Sequence, residues 1–335
     1  MHLDLTVVWT GVIFFAVFMY VLLDGFDLGI GMLFPFMPER GDRDTMMNTV
    51  APVWDGNETW LVLGGTGLLA AFPVAYAIIL SALYLPLCFM LVGLVFRGVA
   101  FEFRFKAKEG ERHLWDKAFI GGSVVASFFQ GVSLGAFLDG IAVSGRSFAG
   151  GPLDWLAPFP LLCGFGVMVA YTLLGVTWLI MKTEGELQAR MVKVARPFAL
   201  LLLAAIVIVS IWTPWRDPAV AARWFTFPNI VLLAPVPILV GVAIVLLLRT
   251  LAREPHRGPF IAALGLIFLG YSGMAISIWP HIVPPAISIW EAASPRSSQG
   301  FALVGTLAIL PVILAYTGWS YWVFRGKVKA DAGYH

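Results

Sequence analysis

The chain contains, at residues 7–36, the stretch VVWTGVIFFAVFMYVLLDGFDLGIGMLFPF. A helix needs about 20 apolar residues to cross a bilayer, so this stretch is long enough to span one. The carboxylates of Asp24 and Asp27 lie inside it, and each costs roughly 2.5–3.5 kcal/mol at the centre of a membrane helix. Charges kept at that cost usually mark an ion path, a proton relay or a paired site. Gly25 and Gly29 form a small-x-x-x-small pair, which lets a second helix approach closely.

The whole chain is similarly apolar. Of its 335 residues, 59% are hydrophobic and only 13% are charged, whereas an ordinary soluble domain has about 25% charged residues. The continuous apolar runs predict an all-α integral membrane protein and exclude a β-barrel, whose strands alternate in hydrophobicity. The net charge of +2, without a basic stripe, gives no indication of nucleic-acid binding. Cys88 and Cys163 lie in apolar runs and are interpreted as core residues, because a cysteine-ligated cluster needs about four thiolates.

Nine membrane spans are predicted within a single membrane domain, residues 1–335. Their expected bounds are 7–36, 53–72, 75–96, 118–143, 155–181, 197–212, 227–248, 259–279 and 301–324. The connections after odd-numbered spans, with the C-terminal tail, carry 17 of the 22 Lys and Arg residues, and the opposite side carries four. Because cytoplasmic loops are rich in Lys and Arg, the N-terminus is expected outside and the C-terminus in the cytoplasm.

This orientation gathers five charged groups on the cytoplasmic side. Asp24 and Asp27 lie in the inner half of the first span, Asp55 and Glu58 begin the second, and Arg97 lies near the inner end of the third. Asp24 and Asp27 are three residues apart, as are Asp55 and Glu58, so each pair shares one helix face. Four acids and one arginine cannot all be ionised in a dry space, and such coupled groups can hold or pass protons. A purely structural role in capping or pairing is the alternative for each.

The histidines argue against a haem held by this chain. Haem in a membrane bundle needs axial ligands such as His or Met. His2 and His335 are terminal, His113 and His256 are in predicted cytoplasmic connections, and only His281 is near a span, at its outer end. Two facing histidines at membrane depth are absent from the sequence pattern, so a bis-histidine haem site is not expected here.

Three longer motifs lie in the first three spans. They are LDGFDLGIGML at residues 23–33, MMNTVAPVWDGNETWL at 46–61 and FRGVAFEFR at 96–104. The chain thereby resembles subunit II of cytochrome bd-type quinol oxidases, whose signatures these motifs match. Looser matches are Gly185-Glu186-Leu187 and the segment 290–294 before the last span. The resemblance covers the whole chain, with nine spans in the same order, and the first two motifs are long and specific.

The resemblance implies a multi-pass protein of the bacterial inner membrane that pairs with a haem-bearing subunit I. In that family, subunit I supplies the ligands of haem b and of haem d-type (or b-type) groups and the quinol-binding loop. The complex oxidises quinol and reduces oxygen to water. Small single-span subunits and, in some members, a structural quinone accompany it. The short loops of this chain are closer to the cyanide-insensitive branch of the family.

The resemblance also implies roles for particular residues. Asp27, Asp55 and Arg97 match polar positions of the proton route, and Trp60 matches a position near the proposed oxygen entry. Glu58 stands where glutamine is frequent in the family. The implied function of this subunit is proton uptake from the cytoplasm, oxygen access and stability of the complex.

Two other interpretations fit the residues without the resemblance. A proton-coupled secondary transporter would also place acids inside membrane helices. A structural assembly subunit would use the same acids only to fix packing. Quinol-dependent oxygen uptake and haem absorption that depend on this chain would separate the oxidase from both.

Overall fold

The computed structural model describes residues 4–108, 110–253 and 256–328. Its helices are α1 (Leu5–Leu33), α2 (Arg40–Asn48), α3 (Trp54–Ala71), α4 (Pro73–Arg104), α5 (Arg112–Asp139), α6 (Pro158–Lys182), α7 (Gly185–Arg216), α8 (Pro218–Phe225), α9 (Asn229–Leu233), α10 (Pro235–Arg253), α11 (Gly258–Ile278), α12 (Ile289–Ala292) and α13 (Arg296–Val323). A 3₁₀ turn, Phe34–Phe36, follows α1. Two short antiparallel hairpins pair β1 (Val143–Ser144) with β2 (Ser147–Phe148), and β3 (His281–Val283) with β4 (Ile287–Ser288). The all-α fold class is confirmed.

The nine predicted spans correspond in order to α1, α3, α4, α5, α6, α7, α10, α11 and α13. Within the described ranges, eight helical segments are long and apolar enough to cross a membrane, and α10 qualifies together with α9. Helix α3 is the ninth long helix but not one of these eight, since Asp55, Asn57 and Glu58 make its first turns polar. The count of nine spans therefore stays a prediction.

The long helices alternate between two ends of the bundle. One end, here called the α2 end, contains α2 and the C-terminal ends of α6 and α13. There Lys182 Nζ donates a hydrogen bond to the Phe324 carbonyl. The other end, here called the hairpin end, contains the two β-hairpins. There Ser294 N, in the segment before α13, donates a hydrogen bond to Ala71 O at the end of α3, at 2.8 Å. Every connection that is rich in Lys and Arg lies at the α2 end. The alternation assumed in counting loop charges is thus present in the fold.

The predicted fourth span, 118–143, was wrong at its C-terminal end. Helix α5 stops at Asp139 because Gly140 has φ +98°, a conformation that ends a helix. Apolar residues beyond it, including Ile141 and Val143, belong to the hairpin end, where Ile141 N donates to Pro284 O at 3.1 Å. Hydropathy alone could not distinguish these residues from a longer helix.

Two helices extend well past their predicted apolar cores at the α2 end. Helix α4 continues to Arg104 rather than ending at 96, and α7 begins at Gly185 rather than at 197. These extra turns carry charged residues, so a hydropathy pattern does not include them. Among their charged residues, Arg104 and Arg190 form ion pairs at the α2 end.

The predicted close approach at Gly25 and Gly29 is confirmed. A Cβ on Gly29 would lie 1.9 Å from the Tyr171 carbonyl oxygen of α6, and one on Gly25 would lie 2.9 Å from the Tyr171 ring. Helices α1 and α6 therefore touch backbone to backbone. Next to this contact, the rings of Phe26 and Trp178 stack with centroids 4.3 Å apart. The packing fixes the α1 segment that carries Asp24 and Asp27.

Candidate proton-transfer site

A buried ion pair joins α1 to α4. Arg97 Nη2 lies 2.6 Å from Asp24 Oδ1, and both side chains are fully buried. Glu58 Oε2 of α3 lies 3.6 Å from the same nitrogen, with 31% of its side chain exposed. The indole of Trp54 and the ring of Phe101 lie 5.5 and 6.0 Å from the guanidinium carbon of Arg97. Three helices thus place two acids and two aromatic faces around one arginine, which stabilises its charge.

The second carboxylate of α1 has different partners. Asp27 Oδ2 accepts a hydrogen bond from Asn57 Nδ2 at 2.8 Å. Asn57 Nδ2 also approaches the Leu23 carbonyl at 3.3 Å, and Asn57 Oδ1 accepts from the Tyr321 hydroxyl at 2.8 Å. Asp27 is fully buried, and its hydrogen-bonding neighbour is neutral. Asp24 and Asp27 therefore have different electrostatic surroundings although they are three residues apart.

The hydrogen-bonding capacity of this cluster is only partly used. Among the described residues, Asp24 Oδ2, Asp27 Oδ1 and the Nε and Nη1 atoms of Arg97 are buried and have no hydrogen-bond partner. An unpaired buried polar group costs about 1–3 kcal/mol, and more when it is charged. Such groups in a native protein are commonly explained by water, an ion or a catalytic role.

A third buried network lies beside the first. Gln130 Nε2 of α5 donates to the Tyr20 hydroxyl at 2.5 Å, and Tyr171 of α6 donates to Gln130 Oε1 at 2.8 Å. Tyr20 precedes Asp24 by one helical turn on the same face of α1. Tyr20, Gln130 and Tyr171 were not predicted as site residues, nor were Asn57 and Tyr321. Only Asn57 had a sequence signal, because it lies between the predicted Asp55 and Glu58.

The five charged residues predicted to gather differ in burial, and Asp55 is the exposed one. Its side chain is exposed on the isolated chain, whereas Asp24, Asp27 and Arg97 are buried and Glu58 is partly buried. The spacing of Asp55 and Glu58 predicted that both would face inward from α3. Instead, the buried polar residue of this turn is Asn57. On α3 the inward position is taken by the amide and the two acids flank it.

Trp60, the predicted oxygen-route residue, is fully buried on α3, about one turn after Asn57. Its ring meets Phe15 edge-on with centroids 5.7 Å apart, and it packs with Ala16 and Tyr20. Its indole N–H has no partner among the described residues. Trp60 thus lies in an apolar pocket between α1 and α3, close to the polar cluster.

The described histidines do not fit a haem site at membrane depth. His113 is exposed in the first turn of α5, where its Nδ1 lies 2.8 Å from the Gly110 carbonyl. His256 is exposed in the α10–α11 connection, and His281 lies in β3 at the hairpin end. His2 and His335 lie outside the described residues. No two of the described histidines face one another inside the bundle, and no group of three metal-ligating side chains occurs in residues 4–108, 110–253 and 256–328.

A separate ion-pair network, here called the belt, lies at the α2 end and consists of Arg43, Asp44, Arg104 and Asp116. Arg104 Nε lies 2.5 Å from Asp116 Oδ1, and Arg104 Nη1 lies 2.5 Å from Asp44 Oδ1. Arg43 Nη1 lies 2.8 Å from the other oxygen of Asp116. The belt joins α2, α4 and α5, and each of its acids has an arginine partner.

Beside the belt, Arg190 of α7 binds Asp42 of α2 at 2.8 Å. Burial raises the pKa of the Asp42 carboxyl, and the Arg190 guanidinium opposes that rise. The belt and this ion pair join the connection between α1 and α3 to α4, α5 and α7 at the α2 end, which is expected to face the cytoplasm.

Comparison with known proteins assigns the family. Residues 5–324 match the family model described as cytochrome bd terminal oxidase subunit II. Subunit 2 of the cytochrome bd-I ubiquinol oxidase of Escherichia coli strain K12 is 28% identical, over 93% of this chain and 92% of the relative. Subunit 2 of the cytochrome bd ubiquinol oxidase of Bacillus subtilis strain 168 is also 28% identical, over 97% and 96%. The bd oxidase structure from Geobacillus thermodenitrificans shares the fold, with a TM-score of 0.78 at 17% identity, over 96% of this chain and 99% of that chain.

The family match includes every long helix and all three sequence motifs. It decides for the oxidase against the proton-coupled transporter, and it implies a subunit I partner and haem in the complex. The chain belongs to the cytochrome bd terminal oxidase subunit II family and is therefore a multi-pass inner-membrane subunit of a quinol oxidase complex.

Proposed function

We propose that this subunit takes up protons from the cytoplasm and passes them toward subunit I, through the cluster of Asp24, Asp27, Glu58 and Arg97. One observation carries the proposal: two carboxylates three residues apart are fully buried beside one buried arginine, only Asp24 is ion-paired with it, and each keeps one oxygen without a described partner. Structural pairing alone would need only one of the two acids. The second is available to gain and lose a proton.

The two aspartates have different roles in this proposal. Asp24 is the ionised partner of Arg97, at 2.6 Å. Asp27 is held by the neutral amide of Asn57, so it is the group that changes protonation state. With Asp27 protonated, Asp24, Asp27 and Arg97 together carry no net charge. That state suits a dry interior, where a net charge is costly.

Glu58 and Asp55 form the entrance. Glu58 is partly exposed and lies within 3.6 Å of Arg97, so it connects the surface to the buried pair. Asp55 is exposed one turn nearer the α2 end and concentrates protons at the mouth. The α2 end faces the cytoplasm, in agreement with the 17 basic residues that the sequence carries in the connections after odd-numbered spans and in the C-terminal tail. Reduction of oxygen consumes protons, so uptake from this side builds a proton-motive force without a pump when quinol releases its protons outside.

Subunit I covers α3. This helix exposes Asp55, Thr59 and Thr66 and is less apolar than the other spans, so lipid is a poor environment for it. A protein partner on this face would exclude lipid and bring the Glu58 entrance next to subunit I. The haem b and haem d-type (or b-type) groups are placed on subunit I, in agreement with the histidine positions described above.

Further proposals follow from the family. The pocket around Trp60 is an oxygen route, which its largely hydrophobic packing supports. A structural quinone and small single-span subunits complete the complex. The single membrane domain and the short-loop, cyanide-insensitive branch remain predictions.

Two single substitutions test the proton route. Asp27→Asn and Asp55→Asn should each slow quinol-dependent oxygen uptake while the complex retains its haem. Normal turnover in both variants would remove the proton-route proposal. Loss of haem in both would favour a purely structural role. Deletion of this chain should abolish oxygen uptake and haem absorption in purified membranes.

A further inference from the structure

Tyr321 reaches the buried cluster from the last helix, α13. Its hydroxyl donates to Asn57 Oδ1 at 2.8 Å, although the two residues are 264 positions apart in the chain. Asn57 in turn donates to Asp27 Oδ2 at 2.8 Å. Most of α13 is exposed on the isolated chain, and Tyr321 is one of its few inward contacts. No sequence motif of the first three spans includes it.

The orientation of the Asn57 amide is fixed by groups on both of its sides. The Leu23 carbonyl can only accept a hydrogen bond, so the atom that faces it at 3.3 Å must be the donor Nδ2. A reversed amide would set two oxygens against each other at that place. Tyr321 then satisfies Oδ1 on the other side. Both Asn57 donors are therefore directed at Leu23 and Asp27, whatever the protonation state of Asp27.

This orientation distinguishes the two oxygens of Asp27. Oδ2 receives the Asn57 N–H and acts as an acceptor. Oδ1 is buried and has no partner among the described residues, so it is the oxygen free to carry a proton. We propose that Tyr321 is a positioning residue that acts through Asn57 to direct proton uptake to Oδ1 of Asp27. The inference rests on the proposed function and adds to it the atom that is protonated and a residue that, with the Leu23 carbonyl, holds the Asn57 amide in the orientation that leaves this atom free.

The end of α13 is held in a way that suits this role. The Tyr321 ring meets Trp178 and Phe26 edge-on, with centroids 6.1 and 6.5 Å away. Lys182 at the end of α6 donates to the carbonyls of Phe324 and Gly326, just after the helix ends. Contacts with α1 and α6 thereby hold the ring of Tyr321 and the end of α13 next to Asn57.

Tyr321→Phe in the complete oxidase complex is the test, because it removes the hydroxyl and keeps the ring. Difference infrared spectroscopy should show the carbonyl-stretch band of a protonated carboxyl, assigned to Asp27 by its loss in Asp27→Asn. In Tyr321→Phe this band should shift in frequency, and the midpoint of its pH titration should move to higher pH. Turnover should fall about 2- to 10-fold, the factor that corresponds to one hydrogen bond. Tyr316→Phe is the matched control, since Tyr316 is 64% exposed on the same helix.

A second variant, Asn57→Leu, removes the whole relay at nearly constant volume and should shift the band further. Unchanged band position, pH midpoint and turnover in Tyr321→Phe, with the band lost in Asp27→Asn, would overturn this inference and leave the proton route intact. Absence of any band sensitive to Asp27→Asn, together with normal turnover of that variant, would instead overturn the proton route itself. Haem content, measured for every variant, identifies those that fail to assemble.

Discussion

Two buried arginines, Arg97 and Arg104, lie about two turns apart on α4, and their surroundings differ. Arg104 uses two of its nitrogens on two carboxylates, and Asp116 uses both of its oxygens on two arginines. Arg97 makes one close bond, to Asp24, while its Nε and Nη1 and the second oxygen of Asp24 have no described partner. In the belt, two arginines face two aspartates, and each aspartate is bonded to an arginine. In the cluster, one arginine lies among three acids, and several buried polar atoms have no hydrogen-bond partner among the described residues.

Arg104 and Arg97 therefore have different roles although they lie on the same helix: Arg104 is structural, and Arg97 belongs to the proposed proton route. A fully satisfied ion-pair network rigidifies the elements it joins, and the belt joins α2, α4 and α5. An incompletely satisfied buried cluster is costly, so its persistence needs another explanation. Proton transfer supplies one, because a group that alternates between two protonation states cannot be fully satisfied in both.

The largest effect is expected from Arg97→Leu. Removing this arginine leaves Asp24 buried without a counter-ion, which costs about 3–5 kcal/mol. The yield of haem-containing complex after purification should fall sharply. The double variant Arg97→Leu/Asp24→Leu should recover part of the yield without recovering turnover. Wild-type yield from Arg97→Leu alone would contradict the buried ion pair.

Asp27→Asn should affect turnover and leave stability nearly intact. An amide can replace the carboxyl beside Asn57 but cannot carry a proton, so quinol-dependent oxygen uptake should fall roughly 10-fold or more. The matched control is Asp44→Asn in the belt, which should keep wild-type turnover. Equal turnover losses in the two variants would erase the distinction between the cluster and the belt.

Arg104→Gln should show the opposite pattern. It leaves Asp116 and Asp44 with one partner fewer, and the expected loss of stability is about 1–3 kcal/mol. Thermal unfolding of the purified complex should begin at a lower temperature, while turnover per haem stays unchanged below that temperature. A selective loss of turnover would place the belt in the proton route.

Asp55→Asn should slow turnover less than Asp27→Asn does. Its side chain is exposed, and Glu58 remains available as an entrance. The loss should grow as the pH is raised, because a carboxylate at the mouth matters most when protons are scarce. Oxygen uptake measured across a pH series for both variants gives the ranking, and an Asp55→Asn effect as large as that of Asp27→Asn would require a buried position for Asp55 in the complex.

The smallest effect is expected at the hairpin end. The Trp290 indole N–H donates to Asp4 Oδ2 at 2.9 Å and lowers the pKa of the Asp4 carboxyl. A lowered folded-state pKa contributes stability above the unfolded value of about 3.9, and that contribution is lost as the pH falls through the folded pKa. The fluorescence of Trp290, obtained as the difference between the wild type and Trp290→Phe, should therefore change when the pH falls below about 4. In Asp4→Asn this change should be absent.

The apolar runs, the loop charges and the three motifs were sufficient to predict the all-α membrane fold, the alternation of its helices and the family. Hydropathy is a local property, so the apolar cores of nine long helices could be located in order, although the ends of several helices lie well outside the predicted bounds. It failed where apolar residues leave the helix, at Gly140, and where charged residues continue it, as in the last turns of α4. The charges at Asp24, Asp27 and Arg97 could be recognised as costly because each lies inside an apolar run.

The partners of those charges were decided by tertiary structure. Asp24 meets an arginine 73 positions away, and Asn57 meets a tyrosine 264 positions away, so neither pairing has a periodic signal in the sequence. A turn with two acids and one amide does not reveal which of the three faces inward, and packing of α3 against α1 chose Asn57 and left Asp55 outside. The sequence by itself determined which groups are expensive to bury. Helix packing determined which of them received a counter-ion and which was left free to carry a proton, because only the close contacts of α1, α3, α4 and α13 set the distances between them.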